Sequence, residues 1–543
     1  MTDVQSANAG SAKHCDAIVI GAGFGGLRSL WELRKLGMSA RLLEAGSDVG
    51  GTWYWNRYLG ARADSEAWVY CFWFDKALQE EWNWPERFPQ QRDIERYFQY
   101  VADRFDMRKD MQFNTRVVAA TYDESANLWT IRTAQGETFT CTYLIAATGF
   151  LHIAKDPPFK GLSSFHGEWY QTSNWPKEPV DFGGKRVAVI GTGATGVQVI
   201  PIVAQLAEHL FVFQRTPNYV VPGRSYPLEE ADQQEIKRNY EQIWKQAEQH
   251  VYGFAMEPPN RLSADFTPEE QQRILDAGWE AGGFRYLFET FDDLLVNEEA
   301  NEMAAEFIRN KIRAIVRNSQ TAELLSPRNH PYGGKRPPMG QNYYETFNRE
   351  NVTLIDVSTN AIEEITPQGI RLSNGEEYGV DVIIFALGFD ALTGSLTRID
   401  VTGRGGLTLK EKWRQAPQTY LGICVDGFPN LFMVSGPQSP FANIPVVVEK
   451  SVSFIGQALD HARSKGGRIE AMPEAADNWG RHCQDLLDMS PIIKAGERVN
   501  SWFSGANLEG KAHAAYFYYG GAAGYFAEVQ KVIDDGFPGF VRS

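Results

Sequence analysis

One local pattern, present twice, limits what this chain can fold into more than any other feature. Residues 17–20 form a short apolar run, Gly21, Gly23 and Gly26 follow in a tight glycine turn, residues 27–36 continue at helical spacing and close at Gly37, and residues 40–44 form a second apolar run. The same order recurs at 186–190, at Gly191, Gly193 and Gly196, at 197–206 and at 209–214. Each copy reads as a strand, a turn, a helix and a strand. The first glycine of such a turn permits the sharp bend, the second lets a pyrophosphate approach the backbone, and the third lets the helix pack closely on the strand. Amides at the start of the helix then face the phosphates. The fold class expected is therefore α/β, with two Rossmann-like dinucleotide-binding domains.

The residue that follows the second strand sorts the two copies. Glu44 lies 18 residues after Gly26, where a carboxylate can accept both hydroxyls of a ribose, which suits FAD. The second copy ends in Gln214, Arg215 and Thr216 instead of an acid. A guanidinium can bind a 2'-phosphate bidentately, whereas a carboxylate would repel it, so this copy points to NADPH over NADH. A flavin that takes hydride from a nicotinamide follows from the pair, with the protein supplying orientation and electrostatics.

At 543 residues the chain exceeds what one core organises, so two or three domains are expected. Between 227 and 318 the pattern turns helical. Thr267, Pro268 and Glu270 have the spacing of an N-cap, a first-turn proline and a capping-box partner, and Met303, Phe307, Ile308, Ile312 and Ile315 recur along one helical face. A net charge of -15 disfavours nucleic acid and anionic membranes as partners and leaves small molecules. The five cysteines are far apart and never form a C-x-x-C pair, which suits a reducing compartment and removes the redox pair a disulfide reductase needs. Residues 1–14 are polar, without the apolar core of a leader, and no run approaches the length of a membrane span. A cytoplasmic protein is expected, and no metal site is assigned.

Three further motifs carry a family resemblance. Phe165, Gly167, Gln171, Trp175 and Pro176 follow the F-x-G-x-x-x-H-x-x-x-W-P signature of type I Baeyer-Villiger monooxygenases, with Gln171 where that family has histidine. An amide there donates and accepts hydrogen bonds but does not titrate near neutrality. The run from Gly50 through Asp64 resembles the family's second signature, with Leu59 replacing a proline and so relaxing one turn position. Residues 386–390 resemble its A-T-G-F-D run with Leu387 for threonine, whereas Ala147, Thr148 and Gly149 keep the earlier copy intact. The resemblance continues to 507 and covers nearly the whole chain from Asp16 onward.

It implies an FAD domain built from both chain ends (1–150 and 381–543), an NADP domain between them (151–221 and 329–380), and a helical insertion at 222–328. It also implies a reaction with O2 and a small ketone, giving an ester or lactone by way of a peroxide at flavin C4a. By match to the family motifs, Arg336 would hold the resulting anions, Asp64 would orient Arg336, and Lys335 would assist Arg215 and Thr216 at the 2'-phosphate. Thr52, Trp53 and Tyr70 match flavin-contacting positions, and Trp502 matches a tryptophan near NADP and substrate. The apolar stretches 287–291 and 441–445 are candidate pocket walls. Two other readings stay open at the level of sequence: a flavin monooxygenase oxidising nitrogen or sulfur, and a catalytically silent nucleotide-binding flavoprotein.

Overall fold

The computed structural model describes residues 13–542, so most of the polar N-terminal stretch lies outside the described residues. Strand β1 (Lys13–Ile20) leads through the first glycine turn into helix α1 (Phe24–Lys35), and strand β2 (Ala40–Leu43) returns parallel to β1, with Ala17 opposite Ala40 and Ile20 opposite Leu43. Gly37 has a positive φ of 67° just past the helix end, the left-handed turn for which glycine is suited. Side chains of β1 alternate between two cores. Ala17 and Val19 meet Leu27, Leu30 and Leu33 of α1, while Ile18 and Ile20 meet Trp129 and Ile131 on the opposite face. Each fully buried leucine on that face contributes roughly 1.5–3 kcal/mol.

Around this unit stands an eight-stranded mixed sheet. Thr138–Ala146 runs parallel to β1, and Val117–Asp123 and Leu128–Thr133 extend the sheet as an antiparallel meander. The C-terminal part of the chain adds Asp400–Thr402 and Leu431–Met433 to the same sheet, and helix Ile444–Arg463 packs against α1. Both ends of the sequence therefore build one body around β1.

The second unit is a five-stranded parallel sheet in the order Val352–Asp356, His209–Gln214, Arg186–Ile190, Val382–Phe385, Glu168–Gln171. Here the expected division at 380/381 is corrected. Val382–Phe385 pairs with Arg186–Ile190, so the chain leaves this sheet only after that strand. An apolar run buried on both faces does not indicate which of two sheets it enters; the hydrogen-bond partner does.

The intervening block is helical as its spacing predicts. Thr267 and Glu270 form the reciprocal capping box with Pro268 in the first turn, and Asn297 caps helix Glu298–Ile315 by accepting from the amides of Glu299 and Ala300. The block spans the two cores. Tyr240 and Trp244 join the first, whereas Trp279, Phe307 and Ile308 join the second. No described helix is long and apolar enough to cross a membrane.

Candidate active site

The first glycine turn has no room for side chains. A Cβ on Gly21 would stand 2.5 Å from the carbonyl oxygen of Ala147, and one on Gly26 would stand 1.8 Å from that of Gly21. Gly23, the N-cap of α1, supplies no side-chain cap, so the first amides of the helix stay free for an anion. Glu44 is buried beside them, where its carboxylate accepts the amide of Ala22 at 2.7 Å and that of Gly46 at 2.6 Å. Burial raises its pKa, and those amides pull in the other direction. Each oxygen keeps a second lone pair for a ribose hydroxyl.

The Gly50 to Asp64 motif adjoins this turn and bridges the two sheets. Trp53 donates its indole N–H to the hydroxyl of Tyr70 at 3.1 Å, and Phe24 meets Tyr70 edge-on at 5.3 Å. Gly60, with a φ of 82°, lies so close to helix Ala194–Leu206 that a Cβ would stand 2.4 Å from the carbonyl of Gln198. The Tyr58 hydroxyl donates to Gln198 at 2.7 Å, and Gln198 donates back to the carbonyl of Arg62 at 3.1 Å. Leu59, in the proline position, packs against the second core. The motif thus ends with Asp64 held between the sheets, where its carboxylate pairs with the guanidinium of Arg336. That guanidinium lies 5.6 Å from the centre of the Phe284 ring.

One cavity of about 650 Å³ collects most of these groups: Gly21, Gly23, Glu44, Thr52, Trp53, Asp64, Tyr70, Arg336 and Trp502 all line it. Its volume is in the range of cofactor and ligand sites. Three polar atoms of its walls, Ser395 Oγ, Ser435 Oγ and Asn443 Oδ1, are buried with no partner among the described residues. Orphaned groups of this kind fit a polar ligand that completes them. Glycines without side-chain space, free helix amides, a buried ribose acceptor and orphaned wall atoms together fit FAD. Of the apolar stretches, Leu287, Phe288, Phe441, Ala442, Asn443 and Ile444 line the cavity, while Phe291 packs in the second core and not in the wall. Gly26 lies behind the turn.

Gly191, Gly193, Gly196, Arg215, Thr216 and Lys335 form a separate group, joined to the cavity through Ala194, Thr195 and Gln198. Gly191 and Gly196 are as tightly packed as their counterparts, at 2.5 Å from Ala386 O and 2.1 Å from Gly191 O, whereas nothing lies within 4 Å of a Cβ on Gly193. That open face suits a phosphate. Thr216 accepts the hydroxyl of Thr192 at its carbonyl, 3.2 Å away. Arg215 is exposed and forms no ion pair among the described residues. Burial, and then the charge of Arg215, lower Lys335 to about 8. The same two causes lower Lys155. Three cations gathered here, none in an ion pair among the described residues, fit the 2'-phosphate of NADP.

Lys155 was not visible as a site residue in the sequence, where it is one lysine in an unremarked loop. The Gln171 amide donates to the Lys155 carbonyl at 3.1 Å, the Lys155 ammonium donates to the Asn507 carbonyl at 2.8 Å, and Asn507 donates to the carbonyl of Phe389 at 3.0 Å. The altered signature position therefore retains a structural role, tying the parallel sheet to the loop that carries Trp502. Trp502 stands among aromatic neighbours, with the rings of Phe517 and Phe441 5.5 Å and 6.0 Å away.

The chain is similar to known proteins over nearly its whole length. A flavin-binding monooxygenase-like family model matches residues 14–241. Over 530 residues, 97% of this chain and 96% of the relative, the sequence is 43% identical to a Baeyer-Villiger monooxygenase from Pseudooceanicola batsensis. It is 41% identical over 531 residues, 97% of each chain, to a phenazine N-monooxygenase from Lysobacter antibioticus. The crystal structure of cyclohexanone monooxygenase from Rhodococcus sp. Phi1 bound to NADP+ matches 98% of this chain and 100% of its own, with a TM-score of 0.95 and 39% identity.

Proposed function

The chain belongs to the Baeyer-Villiger monooxygenases, and from that membership we propose that Arg336 and Asp64 form the point at which it inserts an oxygen atom of O2 beside a ketone carbonyl. It is an FAD-containing, NADPH- and O2-dependent enzyme that converts ketones to esters or lactones. Bound FAD, reduced by NADPH, supplies the activation of O2. The Arg336 guanidinium donates in a fixed planar fork, so it stabilises an oxyanion developing on the ketone. Asp64 orients that fork and tempers its charge. The Phe284 ring lies against the guanidinium of Arg336 and adds an apolar wall beside the pair. Trp502, whose indole N–H has no acceptor among the described residues, is available to a ribose or carbonyl oxygen. Arg215, Lys335, Thr216 and Lys155 hold the 2'-phosphate, and the amides after Gly193 hold the pyrophosphate.

What carries this reading is the position of the Arg336–Asp64 pair, in the wall of the same cavity as a complete dinucleotide turn. We assign the FAD domain to both chain ends and the NADP domain to the parallel sheet between them, with its end placed after Phe385. A cytoplasmic setting suits five cysteines, none of them in a disulfide.

Product analysis over cyclic, linear and aryl ketones tests the assignment. Ester or lactone formation, with a flavin that anaerobic NADPH bleaches, is the expected result. The likeness to a phenazine N-monooxygenase supplies the competing reading. N-oxide or sulfoxide formation with no ester from any ketone would establish that reading in place of ketone oxidation.

A further inference from the structure

The loop after helix Glu230–Gln249 brings a phenol into an otherwise apolar stretch of the cavity wall. Tyr252 stacks on Phe288 at 4.6 Å with 24° between the rings, and meets Phe441 edge-on at 6.2 Å. Its backbone is held from both sides. The amides of Tyr252 and Phe254 donate to His250 Nδ1 at 3.1 Å and 3.4 Å, and the amide of Asn443 donates to the Tyr252 carbonyl at 2.9 Å. Burial keeps His250 neutral by lowering it to about 4, which leaves Nδ1 free to accept. The ring is therefore fixed, and its hydroxyl neither donates to nor accepts from any described residue. Neighbouring phenols differ: Tyr58 donates to Gln198, Tyr519 donates to the Phe503 carbonyl, and Tyr70 accepts from Trp53. Tyr252 lines the cavity, so its hydroxyl is available to a ligand there as both donor and acceptor.

The position relative to Arg336 indicates what that ligand is. Arg336 lies over Phe284, Phe284 lies 6.0 Å from Phe288, and Phe288 carries Tyr252. With two aromatic rings between them along this wall, a ketone held by its carbonyl at Arg336 would offer Tyr252 a part of the molecule away from the reacting carbon. We propose that Tyr252 is a specificity-determining residue whose hydroxyl hydrogen-bonds a second oxygen function at the far end of the substrate, so that ketones bearing a remote hydroxyl or carbonyl are preferred over hydrocarbon ketones. This rests on the assignment of ketone oxidation at Arg336.

The test compares two ketones of equal length, methyl heptyl ketone and the ω-hydroxy derivative of methyl hexyl ketone, with the holoenzyme and its Tyr252→Phe variant. An apolar wall would favour the hydrocarbon. The wild type is expected to prefer the alcohol by about fivefold or more in kcat/KM, and Tyr252→Phe to bring that ratio to about one or below. Ester from both ketones with no preference for the alcohol in the wild type overturns the proposal, and this comparison stands even if the variant fails to retain flavin. A preference that survives in Tyr252→Phe also overturns it. So does a raised KM for NADPH with an unchanged ratio, which would assign the phenol to the nicotinamide cofactor. Ester from neither ketone overturns the ketone-oxidation reading itself and this proposal with it.

Discussion

Arg336 and Asp64, 272 positions apart in the sequence, close a side-chain ion pair in the wall of the cavity that the first glycine turn also lines. Asp64 is brought there by the contact of Gly60 with the Gln198 carbonyl, a backbone approach that no residue with a side chain would allow. The pair thus depends on how the two sheets meet. Its chemistry leads to the first expectation.

Arg336→Ala should lower ester formation by about 10²–10³-fold, the usual cost of removing one preorganised charge donor, while NADPH oxidation continues. Arg336→Lys should recover little, because an ammonium lacks the planar fork. Ester formation by Arg336→Ala at the wild-type rate would remove Arg336 from the mechanism. Separate assays of ester and of NADPH consumption make the distinction.

Arg215→Ala should raise the KM for NADPH by about 10-fold or more, since hydrogen bonds to charged groups contribute roughly 1.5–3 kcal/mol. The KM for NADH, which lacks the 2'-phosphate, should change much less. Equal effects on the two cofactors would contradict the phosphate role.

Lys335 predicts a pH dependence. Burial and the charge of Arg215 lower its pKa to about 8, so the free enzyme loses this cation as pH rises through 8. The KM for NADPH should therefore rise above pH 8, and Lys335→Met should flatten that limb of the profile. The effect on stability has the opposite sense. Between 8 and the ordinary lysine value of 10.5 the unfolded chain binds a proton that the folded chain releases, so the contribution of this group to stability increases with pH over that window. Denaturation midpoints of wild type and variant across the window read this directly.

Gln171→Ala removes the donor to the Lys155 carbonyl and should raise the KM for NADPH about 2- to 10-fold, the range of one neutral hydrogen bond, without loss of FAD. Gln171→His, whose ring N–H can reach the same carbonyl, should restore most of the loss. A change in flavin content instead would place the effect of Gln171 at the FAD site and contradict this expectation.

Several features could be read from sequence because they depend on short stretches of chain. Both glycine turns belong to this class, since the clash that forbids a side chain at Gly26 involves Gly21, five residues away. The capping box of Thr267 and Glu270 and the helical face from Met303 to Ile315 are likewise local. Glu44 and Arg215 could be sorted for the same reason, each standing at the end of a strand whose start the glycines mark. Arg336 and Asp64 were legible only by resemblance, as nothing in an arginine within a glycine- and proline-rich loop reveals what lies opposite it.

The sequence by itself determined two dinucleotide units, their order, and the charge that each offers its nucleotide. Tertiary structure alone decided that Val382–Phe385 joins the second sheet, that Phe291 fills a core while Phe288 lines the cavity, and that Lys155 stands beside Arg215. It also decided that the Tyr252 hydroxyl has no hydrogen-bond partner among the described residues. The reason is physical. Strand, turn and cap preferences act over a few residues of chain, whereas burial, sheet partner and the absence of a hydrogen-bond partner depend on segments hundreds of residues apart meeting in space.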